Sequence, residues 1–93
     1  MRRICLTLPT NRACPAMISA IAEEAWYAAE HFDVEVCLLV LDSSDRRSQA
    51  AHARVIAAAP RHPRVVTLQL DEAAQRRFLD QVIRRAGVAK PKL

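Results

Sequence analysis

Val34-Glu35-Val36-Cys37-Leu38-Leu39-Val40-Leu41, running straight into Asp42-Ser43-Ser44-Asp45, is the stretch on which the fold turns. Apart from Glu35 it is apolar at both parities. Val36, Leu38 and Val40 point one way, and Cys37, Leu39 and Leu41 point the other. A strand with two apolar faces is central, covered on both sides, and usually parallel. The polar run that follows ends the strand, and Ser43 or Ser44 is placed to cap a helix over 45–59. The stripe of that helix is His52, Val55, Ile56 and Ala59.

Upstream, Arg3–Leu8 reads as a strand closed by Pro9, followed by the loop Thr10-Asn11-Arg12-Ala13-Cys14. Pro15 suits the first turn of a helix over 15–31, with Ile18, Ile21, Ala22, Ala25, Ala29 and Phe32 on one stripe. Downstream, Pro60 and Pro63 bracket a turn before a third strand over 64–70. Its Val65, Thr67 and Gln69 face is less apolar than its Val66, Leu68 and Leu70 face, as expected of an edge strand. Asp71 caps a third helix over 72–86, with the stripe Ala74, Phe78, Leu79, Val82, Ile83 and Ala86. Gly87 fits the position just past its end, and 89–93 is a tail.

The order is βαβαβα, so the fold class is α/β with a three-stranded parallel sheet. Right-handed crossovers running in one direction give strand order 3-2-1 and put the first two helices on one face. The other face then needs a cover. The third helix supplies part of it if it swings towards the free side of the first strand. Residues 1–93 therefore read as a single α/β domain, the N-terminal part of a larger doubly wound domain or a subunit that pairs with something.

Composition excludes several classes. The chain has 93 residues and one glycine, so neither the dinucleotide fingerprint nor the Walker loop can be built. No apolar run reaches spanning length, and Ile4–Leu8 is too short for a signal peptide core, so a cytoplasmic chain is expected. The net charge is +4, but the basic pairs 46–47, 76–77 and 84–85 are interleaved with acids and aromatics make up 4%. That reads as a solvated helix face, and a nucleic-acid partner is not expected. Cys5, Cys14 and Cys37 have no metal or redox spacing. Cys5 and Cys37 read as small core residues, and only Cys14 falls at a helix start. His31, His52 and His62 have no ligand spacing and no triad partner, and all three are assigned to structure.

Chemistry in parallel α/β sheets sits on the loops after the carboxyl ends of the strands. Pro9, Thr10, Asn11 and Arg12 follow the first strand, and Asp42, Ser43, Ser44 and Asp45 follow the second. Neighbouring strands bring a hydroxyl, an amide and a guanidinium beside two carboxylates and two hydroxyls. Such a set suits ribose hydroxyls, a base edge and a phosphate. Asn, Ser and Asp are equally what turns and caps select.

Strand-P-T-N-R at 9–12 followed by strand-L-D-S-S-D at 41–45 resembles the start of the family-2-like inverting glycosyltransferases of GT-A fold. The resemblance implies that the chain is the Rossmann-like half of such a fold, binding a nucleotide-sugar donor. Pro9 and Thr10 would line the nucleotide pocket, and Asp42 would contact the base or ribose. Ser44, Asp45 and Arg12, with Asn11 beside it, would match the remaining loop positions. On that view Asp42 is open to solvent, and replacing it weakens binding without disturbing the fold. Leu41 and Ser43 stand where the family has Asp and Gly. The family's Asp-x-Asp, which holds Mg²⁺ or Mn²⁺ against the diphosphate, has no match, so no metal or other cofactor is assigned within this chain. Sugar transfer is not expected of these residues alone. The alternative is a small non-catalytic α/β module for protein interaction or homodimerisation.

Overall fold

The computed structural model describes residues 1–87, so the tail at 89–93 lies outside the described residues. Elements run β1 (Arg2–Thr10), α1 (Pro15–His31), β2 (Val34–Asp42), α2 (Arg46–Ala58), β3 (Val65–Leu70) and α3 (Glu72–Ala86). The sheet is three-stranded with β2 in the centre, and both pairings are parallel. The expected α/β class, strand order and element count hold, with boundaries within two residues. The register pairs Leu6 with Leu38, Leu8 with Val40 and Thr10 with Asp42 on one side of β2. On the other side it pairs Leu38 with Thr67 and Val40 with Gln69.

One face of the sheet is packed and the other is not. Val34, Val36, Leu38 and Val40 are buried beneath α1, whose Ile18, Ala22, Ala25 and Ala29 form the facing stripe. Alanines in that stripe let α1 approach the sheet closely, and Ile18 and Leu38 fill the remaining volume. Each fully buried side chain of that size contributes about 1.5–3 kcal/mol. α2 lies alongside α1 and adds Val55 and Ile56 to the rim of the core. At the amino edge, the Arg64 guanidinium donates to the Ala29 carbonyl and His62 pairs with Glu30 at 3.0 Å, tying the end of α1 to the turn before β3. The Arg64 contact places a cation at the negative end of the helix.

The local signals behave as their chemistry requires, with three exceptions. Pro15 opens α1, and Asp71 accepts the Ala74 N–H at 2.8 Å to cap α3. Gly87 ends α3 at φ 66°, in the left-handed region where a Cβ is strained. The cap of α2, however, is Asp45 and neither serine: its carboxylate accepts the Ser48 N–H at 2.8 Å. Phe32, expected on the buried stripe of α1, is 61% exposed because it falls beyond the helix end as its extended cap. Cys5, read as core, is exposed because its parity on β1 faces away from the helices.

The third helix does not close the open face. None of its residues is buried, and Phe78 and Leu79 stay 59% and 57% exposed. It touches β2 and β3 and shares a cleft with α2, without swinging towards the free side of β1. The face bearing Cys5, Thr7, Cys37, Leu39, Val66 and Leu68 is left without a layer over it. β3 therefore turns its more apolar side outward, with Val66 and Leu68 exposed, and its polar Gln69 inward.

Candidate functional site

Loop β1–α1 and the end of β2 lie side by side at the carboxyl edge. Thr10 is paired in register with Asp42, and the Ser43 N–H donates to the Thr10 carbonyl at 2.8 Å. Within the first loop the Thr10 hydroxyl donates to the Arg12 carbonyl at 2.8 Å and accepts the Arg12 N–H at 3.3 Å. This tight turn leaves the Asn11 and Arg12 side chains exposed, and no protein partner is found for either among the described residues. Pro9 is exposed on the other side of the sheet, since it shares the parity of Cys5 and Thr7.

Asp42 is not open to solvent; it is completely buried. Its Oδ1 accepts the Ser44 N–H at 3.1 Å and the Ser44 hydroxyl. Its Oδ2 accepts His52 Nδ1–H at 2.7 Å and Gln69 Nε2–H at 3.0 Å. Four donors thus occupy one carboxylate, so it cannot also hold a base or ribose directly. Burial alone would raise the Asp42 pKa, but the hydrogen bonds from Ser44, His52 and Gln69 outweigh it and hold the group below its usual value. The expectation that Asp42 is open to solvent is therefore corrected.

His52 carries the network onwards. Its Nε2 accepts the Cys14 N–H at 2.9 Å, which assigns the neutral ring with its proton on Nδ1, facing Asp42. The Cys14 thiol turns instead to the Thr10 hydroxyl, at 3.3 Å. With its Nε2 occupied by a backbone N–H, the imidazole has no free nitrogen to act as a base on the thiol, and the Cys14, His52 and Asp42 trio is a brace. The amide of Gln69 also donates to the Gln49 carbonyl, and Gln49 donates to the Ser44 carbonyl at 2.8 Å. Five pieces of chain are locked together: the first loop, the end of β2, the second loop, α2 and β3.

The structural reading of His52 was visible in the sequence; the cap of α2 by Asp45 and the network itself were not. Its directly bonded partners are up to 38 residues apart. The usable signals were His52 on the buried stripe of α2 and Gln69 at an inward position of β3, two polar groups that had to find a buried partner.

Beside the network, between α2 and α3, opens a cleft of about 490 Å³ lined by Asp42, Arg46, Gln49, Gln69, Asp71 and Arg77 among others. No group of three or more metal-ligating side chains is assembled among the described residues. The nearby carboxylates are already engaged: Asp42 by four donors, Asp45 and Asp71 as helix caps. These residues do not fit a divalent metal of the kind the GT-A resemblance implies.

The network gives stability a sign with respect to pH. Asp45 is also held below its usual pKa, chiefly by the Ser48 backbone N–H. Both carboxylates thus have folded values below their unfolded ones, near 3.9. Their contribution is fully present above about pH 5 and is lost as pH falls through the folded values. The urea midpoint should drop between pH 5 and pH 3, and Asp45→Asn, which keeps a capping oxygen, should lessen the drop. A midpoint unchanged across that interval would contradict the assigned network.

The pairing and packing define a parallel α/β protein whose buried polar residues among those described, Asp42, Ser44 and His52, gather at the carboxyl edge. The chain matches, over residues 2–93, the model of a family of unknown function (DUF6271), and it belongs to that family. Comparisons with curated proteins and with solved structures return no match. No helix among the described residues is long and apolar enough to cross a membrane.

Proposed function

We propose that this chain is the donor-binding part of a glycosyltransferase that uses a nucleotide sugar. The observation that carries the reading is the placement of the Thr10-Asn11-Arg12 turn against the end of β2 at the carboxyl edge of a parallel sheet. That edge is where such sheets bind ligands. The division of labour differs from the one the family resemblance implies. Asp42, Ser44 and His52 hold the frame, while Asn11 and Arg12 are the groups free to reach a ligand. A planar guanidinium with no partner among the described residues suits a phosphate, and the Asn11 amide suits a ribose hydroxyl or base edge. The chain's own residues bind and orient; activation of the acceptor and metal support for the leaving diphosphate have no candidates here, so turnover by these residues alone is not expected.

Arg12→Ala should weaken nucleotide-sugar binding about 10-fold or more, the usual loss for one charge-assisted contact. Its thermal midpoint should stay within a degree or two of the parent, since the side chain is exposed and has no partner among the described residues. Calorimetric titration with uridine, guanosine and cytidine diphosphate sugars, with and without Mg²⁺, measures this. Equal affinity in both proteins would remove Arg12 from the site.

A second reading, a non-catalytic module that associates through its sheet, is favoured by the exposed Val66, Leu68, Phe78 and Leu79. Sedimentation would show a concentration-dependent dimer, and Leu68→Lys would abolish it. A monomer at every concentration would count against this reading.

A further inference from the structure

We infer that Cys5 and Cys37 form a paired-thiol site on the open face of the sheet that oxidises to an intramolecular disulfide. The two residues are direct partners in the β1–β2 register. Parallel neighbours lie about 4.7–4.9 Å apart, inside the Cα range a disulfide requires, and their Cβ atoms leave the same face. No layer covers that face: Cys5 is exposed, Cys37 is partly so, and both are free thiols. Burial, then the charge and hydrogen bond of Cys5, push the Cys37 thiol above its usual pKa. Cys14 sits at the carboxyl edge with its thiol engaged by Thr10 and does not share the face.

This geometry sets the order of events with a small disulfide such as oxidised glutathione. The exposed Cys5 thiolate attacks one glutathione sulfur, the S–S bond breaks, and one glutathione thiolate leaves. Cys37 then loses its proton to solvent and attacks the Cys5 sulfur of the mixed disulfide, and the second glutathione leaves. Two protein thiols are oxidised and one glutathione disulfide is reduced to two thiols. The raised Cys37 pKa makes the second step faster as pH rises.

The test is intact-mass and peptide mapping of the native chain after incubation with oxidised glutathione. The expected product has lost two hydrogens, carries no glutathione, and yields one cross-linked peptide pair containing Cys5 and Cys37. Cys14→Ser should give the same product, and Cys37→Ser should stop at a glutathione adduct on Cys5. In urea the selectivity should vanish, with Cys14 entering the cross-links. A stable glutathione adduct on Cys5 of the native parent, a cross-link through Cys14, or a disulfide between two chains would overturn the inference. None of these outcomes depends on nucleotide binding.

Discussion

Asp42→Ala is expected to lower the free energy of unfolding by about 3–5 kcal/mol, because each buried donor left without its acceptor costs about 1–3 kcal/mol. The reason is the set of donors left behind. His52 Nδ1–H, the Ser44 N–H and hydroxyl, and one Gln69 amide hydrogen all end on this fully buried carboxylate. A domain of this size has roughly 0.05–0.15 kcal/mol of stability per residue, so the loss takes a large share of the total. Urea unfolding measures it. The double variant Asp42→Ala/His52→Ala should cost less than the sum of the two single changes, because each single change strands the other partner. A loss under about 1 kcal/mol for Asp42→Ala would mean that water replaces the network and that the brace is not structural.

Leu38→Ala should cost about 2–5 kcal/mol through lost burial and the cavity left under α1. Leu38 is fully buried at the centre of β2, against Ile18 and Ala22. Leu68→Ala, on the opposite face of the neighbouring strand, should cost under about 1 kcal/mol, since that side chain is already 45% exposed. The contrast between two leucines of one sheet measures the asymmetry of the molecule. Equal costs would show that the open face is covered in solution, and the comparison should then be repeated across a range of protein concentrations.

The two-sided apolarity of β2 made a central, covered strand readable from residues 34–41, and the alternation of strand and helix periods along the chain made the parallel order readable. The same feature announced a face in need of cover. The structure shows how little α3 supplies: its apolar stripe is real but stays in solvent. Less was readable at the candidate site. A strand-end Asp followed by Ser-Ser-Asp looks the same whether it meets a ligand or its own protein. What decides the matter for Asp42 is the arrival of His52 from α2 and Gln69 from β3, both set by tertiary packing. Pattern reasoning sees His52 only as a polar residue on the stripe of α2 and Gln69 only as one on the less apolar face of an edge strand. Asn11 and Arg12 were correctly placed in a loop at the carboxyl edge, and the structure leaves both side chains facing solvent.

Titration of the isotopically labelled protein with a nucleotide sugar, followed through its backbone amide resonances, tests the central claim most directly. The account predicts saturable shifts concentrated in Thr10–Ala13 and Ser43–Arg46, at the carboxyl edge, with the open face carrying Val66 and Leu68 unmoved. Amides that do not respond to any nucleoside diphosphate sugar, or that respond only on the open face, would contradict it.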